Sequence, residues 1–186
     1  MVVCYYESSH LEVAPNNYHV LTIHTLNESL DLILDIIVQV LKFDRAAILL
    51  LDGGELRPAA AIGVSTPEAR VPAGELGSLH STASRQTAIR QARESLAAVR
   101  HEIDGGTCQS GLVPMHRGGE LIGMIEFDKH RTGGSISDDE LQTMASFALP
   151  AAVAIHDALI HQDVEEWKGH LDRVYHEMEE LRDLAD

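Results

Sequence analysis

Basic charge is what this chain lacks: 14 Lys and Arg stand against 29 Asp and Glu, a formal net charge of −15. A surface that neutralises a run of phosphates needs the opposite balance, so a nucleic-acid partner is excluded. Docking on anionic lipid is disfavoured for the same reason. Cysteine is scarce too. Cys4 and Cys108 alone cannot build a disulfide framework, and no Cys-x-x-Cys pair offers a zinc or redox site; a reducing cytoplasm is the expected location. No window reaches the roughly 18 apolar residues of a membrane span. Residues 1–17 lack the basic start and apolar run of a signal peptide. Also missing are a phosphate loop ending in Lys-Ser/Thr and any nucleophile beside a placed base, so an enzyme is not expected.

What is present suits one domain with a substantial core plus an extension: 186 residues, 45% of them hydrophobic and 23% charged. Gly111–His116 and Leu121–Phe127 flank Gly118-Gly119 and read as a β-hairpin. Leu121–Phe127 is apolar in both alternation phases until Glu126, which places this strand mid-sheet, covered on both faces. A second hairpin joins Ala46–Leu51 to Leu56–Val64 through Asp52-Gly53-Gly54-Glu55. Pro58, having no N–H, puts its strand at an edge or in a bulge.

Residues 1–17 are weakly patterned. Leu30, Ile33, Leu34, Ile37, Val40 and Leu41 recur at helical spacing, with Asn27 as the expected cap. Residues 65–77, rich in Pro and Gly, are expected to form a loop, and Ser78 to cap a short helix running to about Arg85. Residues 86–106 admit two readings: one helix from Ser78 to His101, or a short strand at Ala88–Arg90 followed by a helix from about Glu94. Ser137-Asp138-Asp139-Glu140 has the spacing of a capping box. The helix it opens could continue to Leu184, with Pro150 implying a kink.

In this order the pieces resemble a GAF domain, the small-molecule-sensing module of signalling proteins. The resemblance covers about residues 19–162. It rests on Phe43-Asp44-Arg45-Ala46-Ala47, on Gly119–Ile125 and on Ile136–Leu141 with the helix behind it. It implies an α/β (α+β) fold: a central antiparallel sheet, helices on one face, and a pocket under loops and short helices on the other. It also favours the short strand at Ala88–Arg90. Domains are accordingly expected as an N-terminal segment 1–17, a sensory domain 18–162 and a C-terminal coiled-coil helix 163–186. Cys108 is followed by Gln109 and departs from the Cys-His of bilin-binding relatives. Asp128-Lys129 and Ser135-Ile136 depart from the cyclic-nucleotide pattern, and one pocket cysteine does not match the several used by free-methionine-sulfoxide reductases.

The implied pocket region contains Arg90, Arg100, His101 and Cys108, the candidate ligand-binding residues. Arginines suit an anionic group, and His101 is the candidate for a haem contact, although a hydrogen-bonded structural histidine is the plainer reading. His156 and His161 are five apart, so they do not share a helix face as a metal pair would. The cofactor stays unnamed. A dimerisation-only domain with a degenerate pocket and a haem-based gas or redox sensor are the alternatives to a small-molecule sensor.

The tail carries the sharpest pattern. Ile160, Val164, Trp167, Leu171, Val174, Met178 and Leu181 are spaced four and three alternately, the seam of a left-handed coiled coil. A parallel homodimer is expected, feeding an output domain beyond this sequence.

Overall fold

Thr25, rather than Asn27, starts the first helix in the computed structural model, which describes residues 25–63, 70–72, 83–103 and 108–183. The Thr25 hydroxyl accepts from the Glu28 N–H at 3.3 Å, and the Glu28 carboxylate accepts from the Thr25 N–H at 2.8 Å. Each side chain satisfies a donor the helix leaves open, so the cap falls two residues before Asn27. Helix α1 (Leu26–Asp35) runs into a π-helical turn at Ile36–Val40, and Leu30, Ile33, Leu34 and Ile37 are buried along one stripe.

Six strands follow: β1 (Arg45–Asp52), β2 (Glu55–Ile62), β3 (Arg70–Pro72), β4 (Val99–Ile103), β5 (Cys108–Arg117) and β6 (Glu120–Asp128). They form one antiparallel sheet in the order β3-β2-β1-β6-β5-β4. Both expected hairpins are present, and β6 lies in the interior between β1 and β5, as its two-faced apolar pattern requires. Pro58 takes the bulged option. Ile48 pairs with Ala60 and Leu49 with Pro58, which leaves Ala59 as the extra residue. Within the expected loop at 65–77, Arg70–Pro72 instead pairs with Ala60–Ile62. A proline is tolerated there because β3 is an edge strand.

The middle of the chain corrects the expectation for Ala88–Arg90. Helix α2 spans Ala83–Ser95, and the strand comes after it, at Val99–Ile103. Ala88 and Ala92, one turn apart, are buried and let the helix lie close on the sheet. Val99, His101 and Ile103 alternate inward with Arg100 and Glu102 between them, a strand period that mixed polarity hid. The proposed Ser78 cap, like residues 1–17, lies outside the described residues.

Helix α3 (Asp138–Asp183) opens on the expected capping box, Ser137 and Glu140 exchanging bonds at 3.2 and 3.0 Å. Pro150 lies inside it. An 18-residue window of this helix reaches a mean hydropathy of 1.5, enough by length and composition to cross a membrane. This corrects the expectation that no window is apolar enough, and packing takes up only part of that apolarity. Met144, Ala148, Ala151, Ala152 and Ile155 are buried in one cluster with α1, Ile48, Val113, Ile125 and Phe127, whereas Leu149 and Val153 are exposed and 33% of the window is buried. The opposite sheet face carries Leu49, Val99, Leu112 and Met124 under Ala88 and Ala92 of α2. The sheet is thus covered by α1 and α3 on one side and by α2 on the other.

Candidate ligand site

The α2-covered face holds a charged group in its centre. Cross-strand pairing aligns Val99 with Leu112 and Leu112 with Glu126, so the acid shares a face with the apolar residues under α2. The same register sets His101 directly opposite Ser110 on that face. Glu126 is 14% exposed and the His101 side chain 2%. A carboxylate so placed needs compensation, and three side chains converge on it. Arg85, in the first turn of α2, donates from Nε at 2.9 Å and from a terminal nitrogen at 2.7 Å to Oε2. His101 Nε2 lies 3.2 Å from Oε1; because the carboxylate accepts only, Nε2 donates. The Ser110 hydroxyl donates to the Phe127 carbonyl at 3.2 Å, with Glu126 Oε1 at 3.5 Å.

Burial alone would raise the Glu126 pKa. The hydrogen bonds and positive charge of His101 and Arg85 together outweigh it and hold the carboxyl below its ordinary 4.5. The face therefore presents an ionised carboxylate, an imidazole and a guanidinium on a hydrophobic floor. Such a group of convergent polar side chains can orient a small polar molecule.

Of the four residues expected to bind ligand, the structure brings together two. His101 and Cys108 share the α2 face, both buried, with Cys108 Sγ near the Gln109 carbonyl. Arg90 is exposed on α2, away from the buried Ala88 and Ala92. Arg100 alternates to the other sheet face and pairs with Asp138 at 2.5 Å. Sequence reasoning missed Arg85, Ser110 and Glu126. The signal for Glu126 was there, a single acid breaking an otherwise apolar central strand; Arg85 carries none, because its role depends on where α2 docks.

A further ion pair anchors the other end of this face. Arg45 grips Asp128, with Nε–Oδ2 at 2.8 Å and a terminal nitrogen at 2.7 Å. Asp128 also accepts from the His130 N–H at 2.9 Å. Its donors are all supplied from within the fold, which makes it a strut between β1 and β6. Among the described residues no group of three or more His, Cys, Asp or Glu is arranged to hold a metal ion.

The chain belongs to the GAF family: the GAF-domain model matches residues 25–155. Solved structures agree. A GAF domain/HD domain protein from Geobacter sulfurreducens aligns at 14% identity and TM-score 0.56, covering 73% of this chain and 94% of that one. The domain of a putative two-component sensor histidine kinase from Sinorhizobium meliloti aligns at 22% identity and TM-score 0.52, covering 76% and 98%. The GAF-B domain of DevS from Mycobacterium smegmatis aligns at 17% and 0.51, covering 75% and 98%. At these identities the likeness shows the fold. No match is found among curated proteins.

Proposed function

We propose that this GAF domain is the sensory, regulatory module of a cytoplasmic signal-transduction protein, acting by binding rather than by turnover. It takes a small molecule on the α2-covered face and signals through a parallel dimer of its C-terminal helices. The observation that carries this reading is the continuity of α3. Its first turns are buried in the core through Met144, Ala148 and Ile155, and the same helix runs on to an exposed tail. Along that tail Ile160, Val164, Trp167, Leu171, Val174 and Met178 are all exposed, Trp167 by 69%. A single chain leaves this seam in water, at an unfavourable cost for each large side chain; a second copy covers it. Leu181 continues the helix at the next heptad position.

The ligand reading rests on His101, Arg85, Ser110 and Glu126, with Cys108 at the margin; Arg90 and Arg100 drop out on position. Haem is not favoured. His101 Nε2 is engaged by Glu126 and Nδ1 lies 3.4 Å from the Glu102 carbonyl, so ligating iron would disrupt the compensation of a buried carboxylate. The net charge of −15 supports a partner other than nucleic acid. Native mass spectrometry of gently purified protein tests the proposal, since it reports bound metabolite and copy number together. A dimer carrying a small molecule that His101→Ala abolishes is the expected result. A ligand-free monomer at micromolar concentration would overturn it.

A further inference from the structure

A cleft opens at the sheet edge, and the sensory reading above makes no use of it. β4 pairs with β5 only as far as Val99 and Leu112, whereas β5 continues beside β6 to Arg117. Val113–Arg117 therefore has no strand on its outer side among the described residues. The chain entering β4 turns away at that point. Leu96 has φ 49, a left-handed conformation that a leucine adopts only under strain. The first two turns of α3 cross the gap. Between them lies a cleft of about 460 Å³, with Ala97, Val113 and Leu141 among its apolar walls and His116, Asp138 and Gln142 as polar groups. That volume lies in the range of small-molecule sites. Strain held at the mouth of a cleft also fits a site rather than a packing fault.

The charges around it select the occupant. Asp138 is the only formally charged side chain in the lining, and Arg100 already neutralises it at 2.5 Å. The positive end of α3 and the Arg100 guanidinium both disfavour a cation. The chain's net charge of −15 disfavours an anion. Gln142 offers a donor and an acceptor, and His116 a ring nitrogen. We propose that this cleft is a second binding site, for an uncharged, compact amphipathic molecule such as a ring carrying one amide. Its occupant bridges the open edge of β5 and the helix that forms the tail, on the sheet side away from Glu126.

Three probes sharing one ring and differing in charge test this: indole-3-acetamide, tryptamine and indole-3-acetate, added to the full chain. Backbone amide signals of Ala97, Val113, His116 and Gln142 are followed by two-dimensional NMR. The neutral amide should shift them saturably, at least about tenfold more tightly than either charged analogue, because the lining offers a desolvated charge no unpaired opposite charge: its one formal charge, Asp138, is already held by Arg100. Ala97→Phe, at an exposed position, should block the response. Gln142→Ala, also exposed, should weaken it about fivefold. The proposal is overturned if the neutral probe leaves these amides unmoved. Equal shifts with all three probes, or an unchanged response in Ala97→Phe, overturn it as well. His101→Ala, which tests the first site, should leave this response intact.

Discussion

Arg85 and Glu126, 41 residues apart in sequence, meet through a forked ion pair: Nε to Oε2 at 2.9 Å and a terminal nitrogen to the same oxygen at 2.7 Å. The pair fastens α2 onto the central strand β6, and both side chains are less than one-fifth exposed. Removing one partner strands a charge that water reaches poorly. Arg85→Ala should cost about 2–3 kcal/mol, read as a lowered urea midpoint. Replacing both partners with apolar residues, Arg85→Met with Glu126→Leu, should cost less than Arg85→Ala alone. A double variant less stable than Arg85→Ala would contradict the stranded-charge account of the single variant's cost, and an Arg85→Ala midpoint equal to that of the natural protein would show that the pair fastens nothing.

Acid should loosen the same contact. Burial raises the Glu126 pKa, but the bonds from His101 and Arg85 together take it below 4.5 in the folded protein. A depressed folded pKa contributes stability above the unfolded value and loses it as pH falls through the folded one. Asp44 contributes in the same direction. Its burial is outweighed by the Thr132 and Arg131 donors, which hold it below 3.8. The stability advantage of the natural protein over Glu126→Gln should therefore be constant near neutral pH and shrink progressively below 4.5. Urea titrations at a series of pH values measure it; a gap that widens in acid contradicts the assignment.

Local pattern made the frame of the fold legible, whereas the site depended on docking. Two Gly-Gly turns between apolar runs mark the hairpins, and Ser137 with Glu140 marks the start of α3, because these signals need only neighbours in sequence. β4 was concealed because Arg100 and Glu102 interrupt it and because Arg93–Ala98 carries good helix formers. What decides the matter is the burial of Val99, His101 and Ile103 against β5, a long-range fact. Arg85 belongs to the same kind. Nothing local distinguishes it from Arg90, which lies five residues on and ends in solvent.

Gly123 marks where strands β6 and β1 crowd. A Cβ there would overlap the backbone oxygen of Leu49 and press on the Met115 side chain. A backbone carbonyl in a ladder cannot rotate aside as a side-chain tip can. Gly123→Ala should cost about 1–3 kcal/mol by overpacking, whereas Gly169→Ala, with open space around it, should stabilise the exposed helix by up to about 1 kcal/mol. Thermal unfolding of the two variants should move in opposite directions.

The tail decides the last prediction. With Val164, Leu171 and Met178 at a positions and Trp167, Val174 and Leu181 at d, a parallel pair sets Asp163 against the partner's Lys168 and Glu177 against the partner's Arg182. In the single chain Lys168 instead meets Glu165 at 2.5 Å, both well exposed, a contact light enough to exchange. An antiparallel pair would bring Lys168 and Arg182 of the two copies together. Charge reversal separates the two cases. Lys168→Glu should weaken a parallel dimer by about 0.4–2 kcal/mol over its two copies, at about 0.2–1 kcal/mol per exposed pair. Adding Asp163→Lys should restore it, whereas an antiparallel dimer would tighten on Lys168→Glu alone. Sedimentation equilibrium reads the affinity. Orientation is read by oxidising Leu181→Cys in a background with Cys4→Ser and Cys108→Ser, which should join like to like. A chain that stays monomeric throughout, or a Leu181→Cys variant that never crosslinks, removes the parallel seam as the route of the signal.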